Sequence, residues 1–335
     1  MSTDIQFINL TNRYFNQGCL NKTDKLFSVL NSTYPFKKNS KVLFDSWHQK
    51  QNSNSTEKES NYSIPGYDGR NEKINALNAF LKKHLSDDLH SAFIHGSHAS
   101  GDEIPYSDFD GLLILKNEVF SNKKRIEQTA RKISESYSLM MSIDPLQHHG
   151  WFILNESDFL NWPAEYFPPV LFEYSKSLLQ NPSTLSLKYS ENSSTSKANY
   201  FRLLSSIERT LIKKPFPDNY YQLKCLLSEF MLIPTFYLQA KNNTGIYKKF
   251  SFEKAAADFP KDKWKIMNTI SEIRAEWPEV TSSLNVRRAQ IVNPSFKRLQ
   301  IKSSLKLPNT LSSKLANSFR EEMLELISSF KSAPL

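Results

Sequence analysis

The chain has 335 residues, of which 39% are hydrophobic and 23% charged. That balance supports a packed core, excludes global disorder, and at roughly 100–200 residues per domain predicts two domains. The formal net charge of +9 favours an anionic partner such as a nucleotide or nucleic acid, and no stretch approaches the roughly 18 apolar residues of a membrane helix.

The 8 glycines are too few for repeated glycine-rich phosphate loops. Cys19 and Cys225 lie far apart and match no zinc or redox spacing, which fits a reducing compartment. The opening stretch carries Asp4 early and has no long apolar run, unlike a secretory signal. The expected location is cytoplasmic, with no membrane partner.

Taken in chain order, residues 4–48 read as two helices and a short apolar segment. Residues 49–66 are polar and rich in Ser and Asn, a loop or linker. Ile74, Leu77, Phe80, Leu81 and Leu85 then recur at helical spacing over 71–87. Residues 91–96 and 109–117 read as strands, 118–136 as a helix, and 137–144 and 148–154 as further strands. Residues 170–179 fit strand or helix, and 182–198 form a second polar break. From 199 onward the pattern is helical over 199–213, 219–240, 251–257, 262–277 and 311–331, interrupted by a basic, poorly periodic stretch at 287–306. The order implies an α+β fold. A mixed-sheet domain over 67–181 follows an N-terminal helical extension and linker over 1–66, and a helical domain occupies 199–335.

The chemistry concentrates in residues 95–115, HGSHASGDEIPYSDFDGLLIL. A strand ends at Gly96-Ser97, where glycine lets the backbone approach a phosphate and the Ser hydroxyl can bind its oxygens. A second strand is predicted from Ser107. On it Asp108 and Asp110 share a face, roughly 6.5–7 Å apart. Paired carboxylates beside a phosphate-binding turn suit a divalent ion. A bare Asp-x-Asp is commonly only a solvated turn. Here it directly precedes an apolar run, where charge is costly unless paired or metal-bound.

This segment resembles the signature of the DNA polymerase β-like nucleotidyltransferase superfamily: an apolar strand, Gly-Ser, a short loop, then Ser-Asp-x-Asp and an apolar strand. The close match covers about 25 residues, and the order of elements extends it to roughly 70–180. The resemblance implies that Asp108 and Asp110 hold catalytic Mg²⁺ or Mn²⁺. It also implies that Gly96, Ser97 and Ser107 meet the phosphates of a nucleoside triphosphate, with ATP the expected donor. The family's third carboxylate, a metal ligand on a later strand, is best matched by Asp144. Pro145 follows it at once, and if Asp144 is only a turn residue the nearest polar candidate is His149. The adjacent His148 and His149 are expected on opposite faces of a strand, which argues against a dedicated zinc site. Where many family members have Arg soon after Gly-Ser, this chain has His98.

Residues 199–285 resemble more loosely the helical domain of aminoglycoside-type nucleotidyltransferases. In such enzymes the inter-domain cleft holds nucleotide and acceptor, so Lys248 and Lys249 become candidate triphosphate ligands. Arg274 and the basic Arg287, Arg288, Lys297 and Arg298 are candidate nucleic-acid contacts or plain surface. The reading is an enzyme that transfers a nucleoside monophosphate to a hydroxyl of RNA, protein or a small molecule. The alternative is a non-catalytic binding module on the same fold.

Overall fold

The computed structural model describes residues 3–17, 34–49, 58–279, 306–315 and 317–335. Cys19 and the basic Arg287, Arg288, Lys297 and Arg298 lie outside the described residues. The chain begins with helices α1 (Thr3–Gln17) and α2 (Tyr34–Gln49), followed by β1 (Lys58–Ile64) and α3 (Glu72–Leu85). Next come β2 (Leu89–His95), the single turn α4 (Ser97–Ser100), β3 (Asp110–Leu115), the long α5 (Lys123–Ile143) and β4 (Phe152–Asn155). Short β5 (Lys176–Ser177) and β6 (Ser183–Tyr189) close the strand-bearing part. The rest is helical: α6 (Ser193–Lys213), α7 (Tyr220–Phe230), α8 (Ile233–Asn242), α9 (Lys248–Ala256), α10 (Lys261–Ala275), α11 (Asn309–Lys314) and α12 (Asn317–Ser332).

The result is an α+β fold built on a mixed four-stranded sheet in the order β4-β3-β2-β5. β2 pairs antiparallel with β3 and with β5, whereas β3 pairs parallel with β4. A parallel pair needs a crossover, and α5 supplies it. One face of the sheet, carrying Ala92, Ile94, Leu113 and Leu115, packs in a core shared with α3 and α5 through Leu77, Leu81, Ile126 and Ile133. The other face, carrying Phe93, Leu112, Ile114 and Leu154, packs on Trp162, Phe167, Phe172 and the inner residues of β6. No helix among the described residues is long and apolar enough to cross a membrane.

Three local expectations are corrected. The strand expected over 137–144 is the last part of α5, which continues unbroken to Ile143. Its buried residues Ile126, Ala130, Ile133, Tyr137, Met140 and Met141 recur every three to four positions, a helical stripe that outweighs the short apolar run. The polar break at 182–198 contains β6, whose burial alternates residue by residue with Leu185, Leu187 and Tyr189 inward. Its partner β1 lies within the expected linker, so the low-hydrophobicity segment is a strand showing its polar face to water. The helix expected over 219–240 is split between Phe230 and Ile233, with Pro234 in the first turn of α8, where a missing N–H costs nothing.

The N-terminal helix has a definite role. Asn12 Nδ2 donates to the Ile153 carbonyl at 2.9 Å and its Oδ1 accepts from Ile153 N–H at 2.9 Å. One turn along, Asn16 does the same for Trp151, at 2.9 and 2.8 Å. These amides stand in for a neighbouring strand and satisfy the open edge of β4.

Candidate active site

β2 ends at His95, and Gly96 turns the chain with φ 70° and ψ −156°, a conformation open to glycine almost alone. A Cβ added there would lie 2.7 Å from Asp110 Oδ2. The glycine thus admits the Asp110 carboxylate against the turn. In the sheet register His95 stands opposite Asp110, and Ser97 opens α4 beside it. β3 begins at Asp110 rather than at Ser107, so Asp108 lies in the loop just before the strand. The Ser107 hydroxyl accepts the Ile104 N–H at 3.0 Å, which commits it to shaping that loop.

Between the aspartates, Phe109 is buried and its backbone is held at both ends by Gln147. Phe109 N–H donates to Gln147 Oε1, and Gln147 Nε2 donates to the Phe109 carbonyl, each at 2.9 Å. The fully buried Gln147 side chain therefore sets where Asp108 and Asp110 emerge. It also ties this segment to the next loop by donating to the His149 carbonyl at 3.1 Å.

That loop brings the histidines to the acids. His148 Nδ1 lies 3.3 Å from Asp108 Oδ2, and His149 Nε2 lies 3.2 Å from Asp110 Oδ1. The rings are 5.0 Å apart and nearly perpendicular. They precede β4 in a loop, so the opposite-face expectation, which required a strand, does not hold. Burial disfavours the His149 imidazolium, but the hydrogen bond and charge of Asp110 overcome it and raise the ring to about 9. Burial lowers His95 and His98. The His95 Nε2 and His98 Nδ1 atoms are buried without a hydrogen-bond partner.

Asp144 is the C-cap of α5, not a strand residue. Its Oδ1 accepts the Leu146 N–H at 2.9 Å, and its Oδ2 meets Lys224 Nζ at 2.8 Å. The same ammonium lies 2.7 Å from Asp108 Oδ1 and 5.3 Å from the centre of the Tyr106 ring. Lys224 is 0% exposed and occupies the space between these carboxylates. Burial would raise Asp108, but the Lys224 ammonium and the His148 hydrogen bond hold it well below the usual carboxylate range. Asp144 goes the other way, raised by burial to about 6 against the pull of Lys224. One ammonium cannot neutralise both carboxylates, and the more deeply enclosed acid keeps its proton longer.

The helical half contributes further charged groups. Tyr106 donates its hydroxyl to the Lys224 carbonyl at 3.0 Å and pairs with Ser228 Oγ at 2.8 Å, locking the aspartate loop to α7. Arg274, from α10, stacks over Tyr106 at 4.7 Å, and its Nε is buried without a hydrogen-bond partner. Lys248, at the start of α9, is half-buried and within electrostatic reach of Asp108 and Asp110. Burial and then the charge of Arg274 lower it to about 8. Lys249 turns outward to an exposed ion pair with Asp102 at 2.6 Å.

The structure thus brings Gly96 and Asp110 together beside Asp108, with Ser97 next in the chain and Lys248 within electrostatic influence of both acids; it leaves Ser107 and Lys249 on structural contacts and holds Asp144 on Lys224. Sequence reasoning missed Lys224 and Gln147. Lys224 carried a signal, as a charged residue among the buried Leu223, Leu226 and Leu227 of one helix, which demands a buried counter-charge. Gln147 carried none, because its role is to bind backbone. The carboxylates of Asp108 and Asp110, largely enclosed and close to each other, suit a divalent ion that also meets phosphates. Asp108, His148 and His149 offer ligand atoms all within 4.8 Å of one another. No family model and no curated protein matches the chain.

Proposed function

We propose that this chain is a metal-dependent nucleotidyltransferase, moving a nucleoside monophosphate from a nucleoside triphosphate to an acceptor hydroxyl. The observation that carries the reading is the close approach of Asp110 to the Gly96-Ser97 turn beside Asp108, with Lys248 near enough for its charge to act on both carboxylates and on Arg274. Carboxylates that want a divalent cation face cations that want a polyanion, and a metal-bound triphosphate answers both. Polymerase β-like resemblance of residues 95–115 agrees with that pairing.

In the reaction the acceptor oxygen bonds to the α-phosphorus, the bond to pyrophosphate breaks and the hydroxyl proton leaves to solvent. A bound divalent ion, held by Asp108 and Asp110, would supply Lewis-acid stabilisation of the phosphoryl oxygens. Lys248 and Arg274 hold the triphosphate tail and stabilise charge on the departing pyrophosphate. The Gly96-Ser97 turn lets the phosphates lie close to backbone N–H groups. Lys224 and Gln147 keep Asp108 and Asp110 in register, so that positioning costs nothing at the moment of reaction. ATP is the donor to test first. RNA, protein and small hydroxyl compounds are the acceptors to separate.

The test is incubation of the full chain with each α-phosphate-labelled nucleoside triphosphate and a divalent ion, with total RNA, cell extract or neither. The Asp110→Asn and Asp108→Ala/Asp110→Ala variants run alongside. Asp110→Asn keeps the Lys224 pair intact and so isolates chemistry from folding. Label moved by the wild type and not by Asp110→Asn supports the enzyme and reveals the acceptor class. The sequestration of Asp144 by Lys224 favours a second reading, a nucleotide-binding module without turnover. Triphosphate binding with no label transfer in any arm selects that reading, and absence of both binding and transfer overturns the proposal.

A further inference from the structure

Apart from the Lys224 ammonium on Asp108 Oδ1, the groups that close in on the remaining oxygens of Asp108 and Asp110 are imidazoles rather than a third carboxylate. Asp144 is engaged by the buried Lys224 ammonium at 2.8 Å. His148 and His149 instead place Nδ1 and Nε2 at 3.3 and 3.2 Å from the two aspartates. We propose that His148 and His149 are metal ligands together with Asp108 and Asp110, and that the site selects a first-row transition ion of the Mn²⁺-to-Zn²⁺ series over Mg²⁺.

The spacing suits an ion. Ligands about 2.0–2.2 Å from a tetrahedral centre stand roughly 3.3–3.6 Å from one another, near the imidazole-carboxylate separations here. The orientation of His149 is also set as a ligand's is. Its Nδ1 donates to the Gly150 carbonyl at 2.9 Å, which leaves Nε2, turned toward Asp110, as the ligand atom; metal-bound histidines are held in this way. A third imidazole lies beside Asp110, its ring packed on Phe152 and Phe167. His95 is only 8% exposed, stands opposite Asp110 in the register, and has Nε2 without a hydrogen-bond partner.

Mixed imidazole and carboxylate donors decide the class of ion. Mg²⁺ demands oxygen ligands in a near-ideal octahedron and keeps its waters. Imidazole nitrogen favours the later first-row ions, with affinity rising along the series toward copper. The inference shares its site with nucleotidyl transfer and rests on that reading only in supposing that this ion also meets phosphates.

The experiment loads the full chain with Mn²⁺ and reads nitrogen hyperfine coupling by pulsed electron paramagnetic resonance, then titrates Mg²⁺ against it. The expected result is a single bound Mn²⁺ with nitrogen coupling, retained in about 100-fold excess of Mg²⁺. His149→Gln and His148→Gln should each weaken Mn²⁺ binding by at least the roughly 10–100-fold that loss of an outer-shell partner costs. Mn²⁺ bound without nitrogen coupling, displaced by comparable Mg²⁺, or not bound at all overturns the proposal. The wild-type spectrum decides even where a variant fails to fold. Nitrogen-bound Mn²⁺ without label transfer keeps the metal site and removes the nucleotidyltransferase reading. Label transfer supported by Mg²⁺ with no nitrogen coupling does the reverse.

Discussion

At the scale of single residues, Lys224 bridges two buried carboxylates with one buried ammonium. Its ammonium is fully enclosed between Asp108 and Asp144. Removing one member of such a group leaves uncompensated buried charge. Lys224→Met is expected to cost roughly 3–5 kcal/mol, read from the urea midpoint at constant slope. Adding Asp144→Asn should return part of that loss, because it removes one of the stranded negative charges. Additive losses in the double variant would show that the two residues are not coupled. Gly96 tests geometry rather than charge. Gly96→Ala should cost roughly 1–3 kcal/mol from the backbone conformation alone. Its methyl would also press on Asp110 Oδ2, so metal binding should fall with stability, and unchanged metal affinity in the folded variant would count against the close approach.

At the scale of elements, α1 behaves as a surrogate strand. Asn12 and Asn16 are one helical turn apart and reach Ile153 in β4 and Trp151 just before it. Helix spacing and strand spacing coincide here because one turn rises about 5.4 Å and two strand residues advance about 6.6 Å, a gap that side chains absorb. Asn12→Leu and Asn16→Leu each strand a donor and an acceptor on β4. Each should destabilise the fold by about 1–3 kcal/mol and raise amide exchange at Ile153 or Trp151. Exchange unchanged at these amides would sink the edge-capping role. The loop carrying His148 and His149 leads directly into this strand, so the N-terminal helix helps to hold the site although it supplies no ligand.

At the scale of the whole molecule, the site is a seam between the sheet, which brings carboxylates and histidines, and the helical half, which brings Lys224, Lys248 and Arg274. The Lys248 ammonium is pulled down to about 8 by burial and by Arg274. An anion prefers the charged form, so on the proposed function the binding of a nucleoside triphosphate is expected to raise this group and take up a proton near pH 8. Affinity is therefore full below pH 8 and declines as the pH rises through it. Lys248→Arg, charged throughout, should flatten that decline. Calorimetric affinities measured across this range check both statements, and a wild-type profile as flat as the arginine variant's would remove Lys248 from the binding site.

Residues 95–115 were legible in the sequence because strand, turn and strand are local, and glycine and paired aspartates announce themselves by type and spacing. The helices over 71–87 and 199–213 were legible for the same reason, their apolar stripes being repeated enough to read. The strands β1 and β6 were not. Each is polar on one side, and only their mutual pairing across more than a hundred residues makes them strands. Residues 137–144 failed in the opposite sense, since a five-residue apolar run looks alike in strand and helix, and packing on α3 and the sheet made it helix. What the sequence by itself determined is the strand, turn and strand that carry Gly96, Ser97, Asp108 and Asp110. What only the tertiary structure decided is the company those residues keep. Lys224 takes Asp144 and His149 comes to Asp110, because burying a charge obliges the fold to find it a partner, and that partner is set by packing rather than by distance along the chain.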